Sequence, residues 1–167
     1  DGATWENLTS RFPGLPAGTP YVAGIEASHF DTLTFYVAFD NHRQNDGRPH
    51  LYATHDGGKT FTNITSNLPA DGPADYLHVV REDPRNRNLL FVGTSIGVYA
   101  SLDRGKTWTR FMTGMPSVPV FDLKIHERDR ELVAGTHGRS VWIVDIAPLQ
   151  DLSAQAVASG THLFPPK

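Results

Sequence analysis

An all-β chain built from a repeated four-stranded unit is predicted by three observations. THDGGKTF (Thr54 to Phe61) returns as SLDRGKTW (Ser101 to Trp108), every element displaced by about 47 positions. The 167 residues include 15 glycines, 12 prolines and 10% aromatics, a composition suited to short strands joined by tight turns. In FYVAF and VGTSIGVYASL, apolar residues and turn glycines fall where strands and hairpins need them.

The elements follow in chain order. Gly2, Ala3, Thr4 and Trp5 fit the tail of the repeated motif. Thr4 to Leu8 therefore reads as an outer strand, and the chain as starting inside a unit. Ile25 to Phe39 lines up without gaps on Val80 to Thr94. The spacing between these segments exceeds that between the motifs, so the first unit holds about eight extra residues. They are polar, NHRQNDGRP from Asn41 to Pro49, and form a loop. In the second unit the strands are expected at Tyr76 to Arg81, Leu89 to Thr94, Gly97 to Leu102 and Thr107 to Met112. In the third, GTSIGVYASLD matches GTHGRSVWIVD position for position, setting Asp145 against Asp103 without the Gly-x-Thr-Trp tail. Asp-Gly-Gly and Asp-Arg-Gly are hairpin turns in which glycine supplies positive φ. PLQDLSAQAVA is the one helical stretch, with Pro148 in its first turn and Leu149, Leu152, Ala156 and Val157 on one side.

Four strands in 40 to 50 residues is the spacing of β-propeller blades. The expectation is a propeller segment of about three four-stranded blades, part of a larger propeller. Residues 1–146 hold an outer strand, two complete blades and three strands of another. Residues 147–167 form an extension that opens with the helix and leads toward a further domain. Three blades are fewer than the four to eight of closed rings. A remaining part of a longer protein, or a second chain, is therefore expected to complete the propeller. Thr161 to Pro165 or another chain would pair with the last blade.

The motif Ser/Thr-x-Asp-x-Gly-x-Thr-Trp/Phe resembles the Asp-box, or bacterial neuraminidase repeat. YVAFDNHRQNDGRPHLY, VVREDPRNRNLLFVGT, VYASLDRGKTW and LVAGTHGRSVWIVD are similar to the last blades of large bacterial sortilin-like propeller proteins. The resemblance implies an exported protein, secreted, periplasmic or at the cell surface. It also implies boxes at the propeller rim, remote from the ligand face. The box residues Asp56, Gly58, Thr60, Phe61, Asp103, Gly105, Thr107 and Trp108 accordingly read as structural. Each Asp accepts hydrogen bonds within its hairpin, Gly permits the turn, Thr bonds across it, and the aromatic packs between strands.

Family knowledge places binding at the channel mouth, on loops inside and between blades. Inside blades these are Asn41 to Pro49, Ser95 with Ile96, and Thr136 to Arg139. Between blades they run near Ser10 to Pro20, Leu68 to Asp75 and Gly114 to Val118. Polar residues on a loop that only one blade carries are not needed by the fold. His42, Arg43, His137 and Arg139 are thus the candidate ligand-binding residues, with Asp46 and Arg48 beside them. A solvated insertion packed on its neighbour is the plainer reading.

For hydrolysis, two carboxylates must flank a substrate. The five glutamates are Glu6, Glu26, Glu82, Glu127 and Glu131. Glu26 and Glu82 occupy neighbouring places in matched strands. Asp122, on a third inner strand, is the weak catalytic candidate. The alternative for these residues is a charge pair with Arg81 on the channel wall. Arg43, Arg81 and Arg139 do not share a repeat position. The eight histidines show no His-x-x-x-His pairing, so no metal and no cofactor is expected. Asn7 and Asn63 sit in glycosylation-type triplets directly after box aromatics.

Composition excludes several classes. The net charge of −3 gives no electrostatic reason to bind nucleic acid. No run of 18 apolar residues exists to span a membrane. DGATWENLTS has neither a basic start nor an apolar stretch, so no signal peptide is read there. The absence of cysteine removes disulfides, thiolate metal sites and a cysteine nucleophile. Two functions remain. One is a non-catalytic propeller module recognising a peptide or glycan; the other is part of a sialidase-like glycoside hydrolase with carboxylates at the mouth.

Overall fold

The computed structural model describes residues 2–18, 20–72, 75–152 and 163–164. Blade 1 comprises β1 (Tyr21–Ala27), β2 (Phe35–Asp40), β3 (His50–Thr54) and β4 (Thr62–Asn63). Blade 2 comprises β5 (Leu77–Glu82), β6 (Leu90–Thr94), β7 (Gly97–Ser101) and β8 (Thr109–Arg110). Blade 3 has β9 (Val120–His126), β10 (Glu131–Thr136) and β11 (Val141–Asp145). All pairings are antiparallel between chain neighbours, as in a meander. The protein is therefore an all-β segment of a propeller, and its blades lie where the repeat puts them.

Burial explains the stacking. One apolar cluster fills the space between blades 1 and 2, with Tyr36, Leu51, Leu77, Val80 and Leu90. A second, with Val79, Phe91, Val120, Leu123 and Leu132, fills the space between blades 2 and 3. Blade 2 is covered on both sides, so β6 and β7 are buried at every position. That is why LLFVG reads as a continuous apolar run and not as an alternation. Each fully buried Leu or Val contributes about 1.5–3 kcal/mol. Side by side at the inner edge lie β1, β5 and β9.

A buried carboxylate adds to the cohesion of blades 1 and 2. Glu82 is fully buried and accepts hydrogen bonds from Ser28 Oγ (2.8 Å), the His29 N–H (2.6 Å) and the Tyr36 hydroxyl (2.9 Å). These donors come from blade 1, so the charge of β5 is satisfied only when the blades meet.

The two aspartate hairpins share one geometry. Asp56 accepts from Thr54 Oγ1 (2.8 Å), the Lys59 and Thr60 N–H groups (2.9 and 3.0 Å) and Thr60 Oγ1 (2.7 Å). Asp103 accepts from Ser101 Oγ (2.8 Å), the Thr107 N–H (2.8 Å) and Thr107 Oγ1 (2.6 Å). Gly105 has φ +84°, and an added Cβ would lie 2.9 Å from Ile64 Cδ1 of blade 1. The following aromatics are sunk into the fold, Phe61 at 7% exposure and Trp108 at 4%. The Trp108 indole N–H donates to the Ile64 carbonyl (2.9 Å), and Asn67 bonds both backbone groups of Trp108. The tail of one blade thus roofs the aromatic of the next. At the start of the chain, Leu8 and Phe12 do the same for blade 1, Phe12 stacking on Phe61 at 3.9 Å.

Three expectations are corrected. Residues 4–8 carry no strand, because among the described residues no third strand stands beside them; a short 3-10 helix, Thr9–Arg11, follows. The match of the second to the third unit slips by one residue. Gly93 pairs with Val98 and Gly135 with Val141, since residues 137–139 form a longer loop than 95–96. Such a slip exchanges the two faces of a strand. Trp142, not Ile143, faces blade 2, and Asp145 matches Leu102 instead of Asp103. The helix α1 spans Ala147–Gln150, with Pro148 in its first turn. Ala156, Val157 and most of Thr161 to Pro165 lie outside the described residues.

Candidate binding site at the bulged ends of the inner strands

Every inner strand carries a β-bulge at the same end. Val22 pairs with Phe39 and Gly24 with Ala38, leaving Ala23 as the extra residue of β1. Leu77 and Val79 face Thr94 and Gly93, leaving His78 extra in β5. Val120 and Asp122 face Thr136 and Gly135, leaving Phe121 extra in β9. A bulge re-aims the side chain it adds. All three extra residues line one cavity of about 450 Å³, together with Tyr21, Asp40, His42, Arg43 and Tyr76. That size suits a ligand of a few rings or residues.

Five rings form a row across the three blades. His42 stacks on Tyr76 (4.5 Å between centroids), and Tyr76 meets His78 edge-on (5.2 Å). His78 stacks on Phe121 (4.1 Å), and Phe121 tilts against His137 (5.3 Å). Hydrogen bonds set the rings. Asp40 Oδ1 accepts from the His42 N–H (3.0 Å) and lies 2.6 Å from His42 Nδ1. His78 Nε2 is 3.0 Å from Ser95 Oγ. Burial pushes the His78 imidazole below its ordinary value, against the smaller pull of Asp40.

The extra loop of blade 1 is pinned, not loose. Its 3-10 helix, His42–Gln44, ends at Asn45 with φ 60°. Asp46 accepts from Arg48 Nε (2.8 Å) and lies 2.8 Å from Nε2 of the buried His50. The Arg48 guanidinium first, and His50 also, holds the Asp46 carboxyl well below the usual range. The Asp75 N–H donates to the Gly47 carbonyl (3.0 Å), tying this loop to the crossing between blades.

Of the residues the sequence nominates, His42 and Arg43 line the cavity and His137 ends the ring row. Arg139 is exposed and outside the cavity lining; its carbonyl accepts from the Trp142 indole. Sequence reasoning missed Tyr21, Tyr76, His78 and Phe121. The available signal was the repeat itself, since the match of blade 1 to blade 2 extends upstream to set Ala23 against His78.

Asp122 stands 70% exposed on β9, its Oδ1 at 2.8 Å from Arg81 Nη2. Arg81 Nη1 lies 3.5 Å from Glu26 Oε2, and Arg81 Nε donates to the Leu123 carbonyl (2.8 Å). One guanidinium therefore joins β1, β5 and β9. Burial raises the Glu26 carboxyl above its ordinary value, a shift that Arg81 opposes. A cavity of about 320 Å³ lies here, lined by Glu26, His29, Arg81, Lys124 and Glu127 among others. On the β9–β10 hairpin, His126, Asp129 and Glu131 gather within 4.8 Å, with Arg128 also paired to Asp129. No helix among the described residues is long and apolar enough to cross a membrane.

No family model and no curated protein matches the chain. Solved structures do. A GH74 enzyme from Niastella koreensis superposes with a TM-score of 0.59 and 18% identity over 76% of this chain. The GH74 xyloglucanase from Xanthomonas campestris gives 0.60 and 16% over 74%. An ancestral GH74 enzyme gives 0.55 and 17% over 70%. The chain spans 22% of each of the first two. At these identities the likeness establishes the fold, a segment of a β-propeller.

Proposed function

We propose that this chain is a non-catalytic recognition segment of an exported, sortilin-like Asp-box propeller, binding a glycan or a peptide at the channel mouth. The single observation that carries the reading is the set of three equivalent bulges that turn Ala23, His78 and Phe121 into one cavity. The fold does not need them, and each interrupts a ladder that could run on. The stacked pairs cover each other's faces, so the row offers ring edges and imidazole nitrogens beside the Arg43 cation. Such a lining suits an oxygen-rich chain, whether sugar hydroxyls or peptide carbonyls and carboxylates. Further blades, from the rest of a longer protein or from a second polypeptide, complete the ring.

The hydrolase reading is weaker on the same geometry. Asp122 and Glu26 are tied from either side to the one guanidinium of Arg81 on the strand between theirs, an arrangement that neutralises them as a wall instead of facing them across a sugar. Glycan and peptide arrays probed with the wild-type chain and with Phe121→Ala and Asp122→Asn test the proposal. The expected outcome is a ligand whose affinity falls at least about tenfold in Phe121→Ala, the loss of a central aromatic contact, and is kept in Asp122→Asn. Release of reducing sugar that Asp122→Asn abolishes would overturn it.

A further inference from the structure

One repeat position changes its chemistry from blade to blade. Phe39, Thr94 and Thr136 hold matching places in the ladders, opposite Val22, Leu77 and Val120. The residues that follow them are Asp40, Ser95 and His137. Each meets a ring of the row. Asp40 Oδ1 lies 2.6 Å from His42 Nδ1, Ser95 Oγ lies 3.0 Å from His78 Nε2, and His137 tilts against Phe121 at 5.3 Å. Asp40 is the acidic member and is 9% exposed. Its Oδ1 also accepts the His42 backbone N–H (3.0 Å), a bond that an asparagine would make equally well. The ring contact is what the carboxylate adds. No lysine or arginine among the described residues pairs with it, so a buried acidic group is kept against one imidazole.

An imidazole nitrogen held against a carboxylate oxygen carries the ring proton. In the neutral ring that leaves the other nitrogen bare, an acceptor and nothing else. His42 Nε2 has no hydrogen-bond partner among the described residues, and neither has the Arg43 guanidinium; both residues line the cavity of about 450 Å³. Arg43 only donates. Tyr21, the ladder partner of Asp40, is 65% exposed in the same lining and makes no ring contact among the described residues. We infer that Asp40 is the positioning residue of this site, fixing the proton of His42 on Nδ1, and that the group bound between His42 and Arg43 is a sugar hydroxyl. A hydroxyl gives its hydrogen to Nε2 and keeps lone pairs for Arg43, whereas a carboxylate would satisfy Arg43 and set its own lone pairs against Nε2. Neighbouring hydroxyls of one sugar serve both at once, and the open Tyr21 ring suits the C–H face of that sugar. The inference rests on the reading of the cavity as a ligand site, and names a neutral glycan as its occupant.

Long-range proton–nitrogen NMR correlation spectra of the isotopically labelled chain read the ring directly, with no ligand present. In the neutral form, His42 should show a protonated Nδ1 and a bare Nε2. Asp40→Ala should move the proton toward Nε2. Asp40→Asn, whose amide oxygen still accepts, should keep it on Nδ1. A wild-type His42 with its proton on Nε2 overturns the positioning role, whether or not the alanine variant folds. Binding is read on arrays of neutral glycans, acidic glycans and peptides. The wild-type chain should bind neutral glycans, and Asp40→Ala should bind them about three- to tenfold more weakly, the loss of one placed hydrogen bond. Asp40→Asn should bind as the parent does; equal loss in both variants overturns the role of the ring proton. Binders found only among peptides or acidic glycans overturn the hydroxyl assignment and keep the cavity as a ligand site. No binder on any array removes both.

Discussion

Asp103→Ala isolates what one aspartate hairpin contributes. The carboxylate accepts three hydrogen bonds, from Ser101 Oγ and from the N–H and hydroxyl of Thr107. Thr107 is exposed and regains water when its acceptor is removed, so its share is small. Ser101 is buried, and its oxygen already accepts the Gly105 N–H at 2.8 Å. Its own hydrogen is then left without an acceptor inside the protein, at a cost of about 1–3 kcal/mol. With a urea slope of about 1–3 kcal/mol/M, the midpoint should fall by roughly 1 M while the slope stays unchanged. Asp103→Asn keeps Oδ1 for Ser101 and Thr107 and should lose less than half as much. Burial pushes the Asp103 carboxyl up, but the bonds from Thr107 and Ser101 together outweigh it, and the folded value lies below the ordinary one. The unfolded chain therefore takes up this proton first as pH falls. The stabilisation is complete above the unfolded value near 3.9 and drains as pH drops through the folded one. Asp103→Ala should accordingly be less acid-sensitive than the parent in that window. An alanine variant with the wild-type midpoint, or an asparagine variant equally damaged, would refute the reasoning from acceptor geometry.

Other outcomes follow from the same contacts. Gly93→Ala places a Cβ 2.6 Å from the Val120 carbonyl of blade 3, whereas Gly135→Ala, its counterpart, meets nothing nearer than 3.7 Å. Thermal melts should show the first destabilised by about 1–3 kcal/mol and the second much less affected. Tyr36→Phe removes a donor from buried Glu82 and should cost about 1–2 kcal/mol by chemical denaturation. The Tyr36 hydroxyl is raised above its ordinary value by burial first and by the Glu82 charge second. Its stabilising contribution is present below the unfolded value near pH 10 and lost as pH climbs past it. Absorbance at high pH should show Tyr36 resisting ionisation until the protein unfolds. Phe121→Ala, at a half-exposed ring, should alter stability by less than about 1 kcal/mol; a larger drop in the melt would make Phe121 a core residue instead of a mouth residue.

Regular spacing made the blades legible. Strands of blade 2 begin and end within one residue of their expected places, apart from β8, which is two residues shorter at each end, because hairpin glycines and buried runs mark them locally. His42, Arg43 and His137 stood out in the sequence as polar residues of loops, and the structure places the first two in the cavity lining and the third at the end of the ring row. Their partners did not stand out, because Tyr76, His78 and Phe121 sit at strand starts that read as core. A bulge places His78 and Phe121, and bulges leave no mark in hydrophobic alternation. One additional residue in the loop before β11 defeated the gapless match and turned Trp142 inward. The tail at residues 4–8 shows the limit of pattern alone. It has the letters of an outer strand, yet a strand exists only where a neighbour offers a ladder.

The roofing of each aromatic by the preceding tail gives assembly a direction. Phe61 closes under Leu8 and Phe12, and Trp108 under Ile64 and Asn67. In every case the covering residues leave the ribosome before the residue they cover. Domains fold as synthesis proceeds from the N-terminus, and repeat arrays propagate from neighbour to neighbour. Here each newly made blade meets a finished docking face on its upstream side, and no blade waits for residues still unmade to bury its aromatic. Nascent-chain proteolysis should then reveal protection arriving blade by blade, the first step completing once Trp108 has cleared the exit tunnel.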